Sequence, residues 1–365
     1  MTKRIHCLVV LVLCSLTPAA AQDAIDRLVE QSGVETGATP MREHPGWTTD
    51  GKIVIADRHG VADKLRRLHP HADIVPIRSR AEAAAHMADA VALIGYCPPD
   101  VPAAAPRLVW TQRYSAGVES CFESAGIRDG DIVLTNMQKM DSPVIAEHVI
   151  AMVLALSRGI VPYAKSMESG EWLDDGNIVR GMDSIAGKTL LVAGLGGIGT
   201  EVARRAAALD MRVTATRRSA REGPDFVAYV GLADELPALA READFIVNAL
   251  PLTPETEGLF DAAFFAGVKP GAYFINVGRG GSVVTDELYA ALRSGRLAGA
   301  GLDVTEPEPL PGTHPLWQHP DVIITPHVAS EGSNWARKET LLLENVRRFL
   351  AGEALYNVVD PARGY

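Results

Sequence analysis

The sequence has few cysteines, no excess of basic residues and no apolar run long enough to cross a bilayer. Its 365 residues include four cysteines, too few for a disulfide framework in a chain of this length. Lysine and arginine total 35 against 45 acidic residues, a net charge of −10, whereas general binding to nucleic acid or anionic membranes needs a concentrated basic surface. No segment recurs with the roughly 20–50-residue period of solenoids and propellers. What remains is a globular chain, 47% apolar and long enough for two domains.

The first 21 residues form a pattern of their own. Lys3 and Arg4 precede an apolar run over residues 7–16, and small residues end the segment at Ala21. This order is typical of a secretory signal peptide cleaved after Ala21. The apolar run is about half of the roughly 20 residues that span a bilayer. We therefore expect a periplasmic or secreted protein without stable membrane insertion; the alternative is a cytoplasmic protein.

From residue 52 onward, short β-branched runs alternate with helical patterns. Such alternation predicts parallel sheets with crossover helices. The predicted strands of a first unit are 52–57, 73–77, 90–95, 107–112 and 131–135. Those of a second unit are 189–194, 212–216, 226–230, 244–250, 272–277, 299–304 and 322–326. The fold class that follows is α/β, with two doubly wound parallel-sheet domains of the Rossmann or flavodoxin-like type and a ligand cleft between them.

Two helical patterns divide these units along the chain. One runs from Pro143 to about Arg158, and an amphipathic segment over residues 334–350 could return to the first unit. We therefore predict a dinucleotide-binding domain over residues 143–332. It is inserted into a substrate domain formed by residues 22–142 and 333–365.

A glycine-rich turn joins the strand TLLVAG to the helical segment that follows it. The turn contains Gly194, Gly196, Gly197, Ile198 and Gly199. In this motif the first glycine permits the tight turn, the second admits a pyrophosphate, and the third allows close helix–strand packing. The helix N-terminus faces the anion. Between a strand and a helix, the motif predicts a dinucleotide site.

The next strand lacks the acid that would receive the ribose 2′-hydroxyl of NAD. It is followed by Arg217, Arg218 and Ser219, and the nearest carboxylates are Asp210 and Glu222. Guanidinium groups form forked, charge-assisted hydrogen bonds with phosphate oxygens. The cluster favours NADP(H) as the cofactor over NAD(H), which stays possible. The alternative is that one or both arginines are solvated loop charges.

Three segments near the C-terminus carry groups suited to catalysis. Arg279 and Asp303 each follow a predicted strand, His327 follows another, and Glu306 and Glu308 lie in an EPEP sequence. The carboxyl ends of strands are where open α/β sheets bind ligands. Taken one at a time, these residues have ordinary structural explanations. Arg279 could form a surface ion pair, Glu308 could be a loop acid beside prolines, and His327 could be a histidine that hydrogen-bonds within a turn. Together, beside a dinucleotide loop, they indicate an active site.

These segments identify a family resemblance. GLGGIG (194–199), NVGRGG (276–281), GAGLDVTEPEPL (299–310) and VIITPHVAS (322–330) resemble the motifs of the D-isomer-specific 2-hydroxyacid dehydrogenases, over about residues 50–360. Within that family the sequence is most similar to the glyoxylate and hydroxypyruvate reductases. The resemblance implies that His327 is the general acid and base, and an imidazole suits both directions. It implies that Glu308 orients His327, and that Arg279 binds the substrate carboxylate and polarises the 2-oxo group.

The resemblance also implies further contacts. Backbone N–H groups of Ala116 and Gly117 would bind the substrate carboxylate, and Tyr96 and Cys97 are candidate specificity residues. Asp303 would anchor the nicotinamide carboxamide. Pro251 and Thr256 would line the cofactor channel.

The remaining cysteines and histidines give no independent signal. Oxidised pairing of Cys97 with Cys121 does not follow from sequence, and we expect two half-buried thiols. His69 and His71 have no accompanying Cys, His or carboxylate set, so we expect no metal site.

The main functional hypothesis is NAD(P)H-dependent reduction of a short 2-oxo acid to the D-2-hydroxy acid by a homodimer, the dimer being implied by the family. The alternative is a nucleotide-binding sensor or scaffold with little turnover.

Overall fold

The computed structural model of the chain describes residues 18–362 except 102, 175 and 177–181. Residues 1–17 of the predicted signal peptide lie outside the described residues. Helix α1, Pro18–Ser32, runs through the predicted cleavage position. Its buried side chains Ile25 and Leu28 come after that position and join the core of the first sheet.

The first sheet is built from residues 52–135 and is parallel throughout. Its strands are β1 Lys52–Ala56, β2 Asp73–Ile77, β3 Ala90–Ile94, β4 Trp110–Gln112 and β5 Val133–Thr135. The helices of this part are α2 Val61–Leu68, α3 Arg80–Ala84 and α4 Ala125–Arg128, followed by α5 Ser142–Ser157 and α6 Ile160–Ser169. The strand order is β2-β1-β3-β4-β5.

The second sheet has seven parallel strands. They are β6 Thr189–Ala193, β7 Arg212–Arg217, β8 Tyr229–Leu232, β9 Phe245–Asn248, β10 Ala272–Asn276, β11 Leu297–Leu302 and β12 Val322–Ile324. Its helices are α7 Gly197–Ala208, α8 Leu236–Ala240, α9 Ala262–Gly267 and α10 Thr285–Arg293. The order is β12-β11-β10-β9-β6-β7-β8. The predicted fold class, two doubly wound parallel sheets, is confirmed.

Burial explains why these segments form strands. Central strand β6 is fully buried from Leu190 to Ala193, because helices cover both faces of a parallel sheet. The last helix, α11 Trp335–Ala351, returns to the first sheet, where Phe349 stacks on Trp110 with ring centroids 5.1 Å apart. The domain boundaries at 142/143 and 332/333 stay predictions.

The strand predicted at 226–230 is misplaced by about three residues. Pro224 begins a turn that Val227 closes by donating its backbone N–H to the Pro224 carbonyl. Phe226 and Val227 therefore pack against the core from a turn, and β8 begins only at Tyr229.

Among the described residues, no single helix is long and apolar enough to cross a bilayer. Helices α5 and α6 reach that length and composition only together, and their axes are bent by 79°.

Candidate active site

The glycine-rich turn has the shape of a pyrophosphate cradle. Gly194 has a φ of +94°, a left-handed conformation that glycine adopts without strain. A Cβ at Gly196 would meet nothing within 4 Å, whereas one at Gly199 would collide with the Gly194 carbonyl. Helix α7 begins at Gly197 and includes Ile198, so its free N–H groups lie at this turn. The open space above Gly196 fits the phosphates of a dinucleotide.

Arg217 and Arg218 lie beside this turn in different ways. Strand β7 continues through Arg217, whose Nε donates to the Leu195 carbonyl at 3.2 Å. Arg218 and Ser219 follow it and are exposed. A hydrogen bond from Thr253 and one from its own backbone lower the pKa of Glu255, and the charge of Arg218 adds to this effect.

The segment after β9 forms a compact turn near Arg218, at the edge of the sheet where β7 ends. Thr256 Oγ1 donates to the Pro251 carbonyl at 2.7 Å and accepts from the Thr253 backbone N–H at 2.8 Å. Because Arg218 acts on Glu255 in this turn, the predicted cofactor residues Pro251 and Thr256 belong to the same edge as the arginines.

His327 and Glu308 form a hydrogen-bonded pair. His327 follows β12 with a φ of +55°, and its Nδ1 lies 2.6 Å from Glu308 Oε1. An ionised carboxylate only accepts hydrogen bonds, so Nδ1 is the donor and Nε2 is the ring nitrogen left for proton exchange. Both side chains are nearly half exposed. Of the two acids in EPEP, Glu308 is the one that reaches His327.

Asp303 holds the segment that carries His327. Its side chain is 3% exposed, and Oδ1 accepts from Thr325 Oγ1 and from the backbone N–H of Val328 and Ala329. Its backbone carbonyl accepts from the N–H of His327 at 2.8 Å. The carboxylate therefore fixes residues 325–329 around the imidazole. Its role toward a nicotinamide stays a prediction.

Arg279 lies against the loop at Gly117. A Cβ at Gly117 would collide with Nη2 of Arg279, so the guanidinium is packed on the backbone that the sequence predicts to bind a carboxylate. Its Nε donates to Glu119 Oε1 at 2.8 Å, and Nη1 donates to the Gly278 carbonyl. The Ala116 carbonyl is bound by Asn136 Nδ2. Arg279, Ala116 and Gly117 are thus brought together.

Glu119 was not anticipated from sequence. Burial alone would raise its pKa, but the charge of Arg279, with hydrogen bonds from it and from the backbone, leaves the pKa below the ordinary value. The carboxylate therefore stays ionised beside Arg279. The one sequence feature that could have identified Glu119 is its position two residues after Gly117, which is predicted to bind the substrate carboxylate.

The expectation of free, half-buried thiols is wrong. Cys97 and Cys121 are fully buried and form a disulfide with their Cα atoms 5.3 Å apart. Sequence spacing could not show this, because the loops after β3 and β4 meet only in the folded sheet. The cross-link leaves Cys97 no thiol and no exposed surface, so its assignment as a specificity residue is also wrong. Tyr96 stays half-buried on the same loop.

A cavity of about 300 Å³ adjoins the histidine. Its walls include both polar and apolar residues. They are Asp303, Thr305, Glu308, Thr325 and His327, with Pro309, Leu310, Trp317, Ile324 and Pro326.

Comparison with known proteins places the chain in a family. Residues 150–329 match the model described as D-isomer specific 2-hydroxyacid dehydrogenase, NAD binding domain. Glyoxylate/hydroxypyruvate reductase B of Klebsiella pneumoniae is 33% identical over 315 residues, which cover 83% of this chain and 92% of that protein.

Solved structures agree with this assignment. A D-isomer specific 2-hydroxyacid dehydrogenase from Xanthobacter autotrophicus, in complex with NADPH and MES, is 30% identical with a TM-score of 0.71, covering 87% of this chain and all of that one. An NADPH-dependent glyoxylate/hydroxypyruvate reductase from Sinorhizobium meliloti, in complex with NADP and sulfate, is 28% identical with a TM-score of 0.70, covering 86% of this chain and all of that one. The chain therefore belongs to the D-isomer specific 2-hydroxyacid dehydrogenase family, whose members are NAD(P)-dependent oxidoreductases.

Proposed function

We propose that this enzyme reduces a short 2-oxo acid of the glyoxylate or hydroxypyruvate type to the D-2-hydroxy acid. The observation that carries the proposal is that three groups follow strands of one parallel sheet at its carboxyl edge: the His327–Glu308 pair, Arg279 packed on Gly117, and the glycine cradle at Gly196. An acid–base group, a carboxylate clamp and a dinucleotide site are what this reaction needs. The reductase names of two relatives support the same substrate class.

In this proposal the three side chains divide substrate binding and proton transfer between them. A bound nicotinamide supplies the hydride. Arg279 binds the carboxylate and polarises the 2-oxo oxygen through charge-assisted hydrogen bonds. His327 Nε2 gives its proton to that oxygen, while Glu308 keeps Nδ1 as the donor and fixes the plane of the ring. In the reverse direction His327 accepts the proton.

We propose NADP(H) as the preferred cofactor, with NAD(H) as the second choice. Arg218 is exposed beyond β7 beside the cofactor turn, where a 2′-phosphate would meet a guanidinium instead of a carboxylate. Two solved relatives are complexes with NADPH or NADP.

The test follows oxidation of NADPH and NADH at 340 nm with glyoxylate, hydroxypyruvate and phenylpyruvate. The decisive variant is His327→Asn, with His71→Asn as a matched control because His71 is exposed on a loop. We expect His327→Asn to lower kcat by about 10²–10⁴-fold without weakening cofactor binding, and His71→Asn to leave both unchanged. Cofactor binding without turnover on any acid would instead favour a sensor or scaffold.

We further propose that the protein is exported. Its support is the signal-like leader and the Cys97–Cys121 disulfide, since disulfides persist in oxidising compartments. N-terminal sequencing of the protein from the periplasm or medium should begin at Gln22. Recovery of an uncleaved chain only in the cytoplasm would overturn the proposal.

We propose a homodimer that covers the outer face of α5 and α6. Leu154, Ile160 and Met167 are exposed there, and Trp172 beyond α6 is 96% exposed. A group of exposed large apolar side chains is typical of an interface. Light scattering on the eluted protein should give twice the chain mass, and the mass of a single chain would contradict it.

A further inference from the structure

A second group of side chains lies near the loop of Ala116 and Gly117, which we predict to bind the substrate carboxylate. None of the catalytic residues belongs to this group. We propose that Arg58, His59, Tyr114 and Trp335, here named the Arg58 subsite, bind a second anionic group on the substrate. The preferred substrates are then 2-oxo acids that carry another carboxylate or a phosphate. This inference rests on the proposed 2-oxo acid reduction and narrows its substrate class.

The subsite lies at the carboxyl edge of the first sheet. Tyr114 comes two residues after β4, and its hydroxyl donates to the carbonyl of Ala56 at the end of β1. Burial raises the pKa of Tyr114 well above its ordinary value, so the hydroxyl stays protonated as a donor. A Cβ at Gly95 would lie 2.9 Å from the ring. Tyr114 therefore packs at the carboxyl ends of three neighbouring strands, β1, β3 and β4.

Aromatic and cationic groups are stacked around this ring. The guanidinium carbon of Arg58 lies 5.2 Å from the centroid of Tyr114. Trp335, the first residue of α11, meets the same ring edge-on at 5.6 Å, and the His59 ring lies 4.8 Å from Trp335. Stacking fixes the guanidinium plane and leaves its N–H groups for another partner.

Apart from the Tyr114 hydroxyl, the donors of the subsite have no hydrogen-bond or ion-pair partner within the described ranges. Trp335 Nε1 is buried and makes no hydrogen bond there, and an unpaired buried donor needs an explanation. Arg58 and His59 are exposed, and the ion pairs of the described residues include neither of them. The nearby carboxylate, Asp57, accepts from the Ala62 backbone N–H at the start of α2.

The subsite is within reach of a substrate held at Gly117. Tyr114 precedes Gly117 by three residues, and three residues span at most about 10 Å. Arg279 packs on Gly117, and Arg58 stacks on Tyr114 of the same loop, so we expect a substrate bound at Gly117 to extend toward Arg58. The substrates we expect to reach both groups are four- or five-carbon dicarboxylates and three-carbon acids with a phosphate. In a chain of net charge −10, a local cationic site also offsets repulsion of a dianion.

Two matched substrate pairs test the inference on the full chain. Oxaloacetate differs from 2-oxobutyrate by its second carboxylate, and 3-phosphohydroxypyruvate differs from hydroxypyruvate by its phosphate. We expect kcat/KM to favour the member with the second anionic group in one pair by about 10- to 100-fold, the range of a hydrogen bond to a charged group. Which pair shows the preference identifies the anion.

The variants are Arg58→Gln and Trp335→Phe, with Arg67→Gln as the control. Arg67 is an exposed arginine in the last turn of α2, so its loss changes net charge equally. Arg58→Gln should remove most of the preference while changing kcat/KM on the member without the second anionic group less than twofold. Trp335→Phe, which keeps the ring and loses the N–H, should act in the same direction, and Arg67→Gln should have no effect.

Two results would overturn the inference. One is a wild-type enzyme with no preference in either pair, and the other is an Arg58→Gln variant that loses both members of a pair equally. If no 2-oxo acid is consumed, the proposed reaction fails, and calorimetry still decides on the subsite. Succinate should then bind more tightly than butyrate to the wild type but not to Arg58→Gln, and equal affinities would reject the subsite.

Discussion

Glu119 Oε1 lies 2.8 Å from Nε of Arg279, although the two residues follow strands of different sheets. Glu119 comes after β4, and Arg279 comes after β10. With Nε bound to Glu119 and Nη1 bound to the Gly278 carbonyl, Nη2 is the nitrogen that packs on Gly117. The glutamate therefore determines which edge of the guanidinium meets the substrate.

Replacing Glu119 should weaken substrate binding more than cofactor binding. In Glu119→Gln the charged hydrogen bond to Arg279 becomes a neutral one, and we expect kcat/KM for the 2-oxo acid to fall by about 10-fold. The Kd for NADPH should stay constant. Glu123→Gln, an exposed glutamate at the end of the same turn, is the control. A Glu119→Gln enzyme with wild-type kcat/KM would show that Arg279 needs no such partner.

The same pair predicts how stability depends on pH. The pKa of Glu119 is held below its ordinary value of 4.5, so the folded state binds the proton less readily than the unfolded chain. The stabilisation is present in full above the ordinary value and is lost as pH falls through the lowered one. The Tm difference between wild type and Glu119→Gln should hold from pH 7 to about 5 and shrink below about 4. A difference that grows on acidification would contradict the lowered pKa.

Cofactor choice should depend on Arg218. In Arg218→Ser we expect kcat/KM with NADPH to fall by about 10- to 100-fold and that with NADH to change little, because only NADPH carries the 2′-phosphate. Arg221→Ser is a suitable control, since Arg221 lies beyond the Arg217–Ser219 segment and pairs with Glu235. Equal losses with both cofactors would exclude a 2′-phosphate contact.

Two glycines of the cradle should respond differently to alanine. Gly196 has a negative φ and open space at its Cβ position, so Gly196→Ala should keep the wild-type Tm and lose cofactor affinity, because the methyl group occupies the place of the pyrophosphate. Gly199→Ala should lower the Tm, since its Cβ would collide with the Gly194 carbonyl. Thermal melts with and without NADPH measure both effects. A Gly196→Ala variant with full affinity would mean that the phosphates bind elsewhere.

The Cys97–Cys121 disulfide should be a measurable source of stability. It closes a segment between residues 24 apart in sequence, for which the chain-entropy estimate is roughly 3 kcal/mol. Addition of a phosphine reductant should lower the Tm of the wild type by several degrees. The double variant with serine at both positions should melt at the lower temperature with or without reductant. A wild-type Tm indifferent to complete reduction, verified by thiol counting, would contradict this role.

Strands are predicted well from sequence where a short run is apolar throughout and must therefore be buried on both faces of the sheet. Runs such as residues 90–94 and 189–193 are apolar enough that only a sheet covered on both faces accommodates them. The segment 226–230 is the exception, because Phe226 and Val227 are apolar but follow Pro224 in a turn. Local composition does not distinguish a buried turn from a buried strand.

The contacts that connect distant loops could not be predicted from sequence. Glu119 reaches Arg279 across 160 residues, and Cys97 meets Cys121 only because β3 and β4 are neighbours. The His327–Glu308 contact was accessible because family motifs identify both partners. Side chains whose role depends on the approach of two loops carry no local signature.

The return of α11 to the first sheet has a mechanical consequence. The chain crosses between the sheets twice, once along α5, which packs on α7, and once through residues 325–334. A single tether would allow one domain to swing in any direction relative to the other. Two crossings would restrict such motion to rotation about an axis through them, and we expect that rotation to change the distance between the loops of Glu119 and Arg279. Asp303 anchors residues 325–329 at one end of the second crossing. We therefore expect His327 to move less during such a rotation than these two loops.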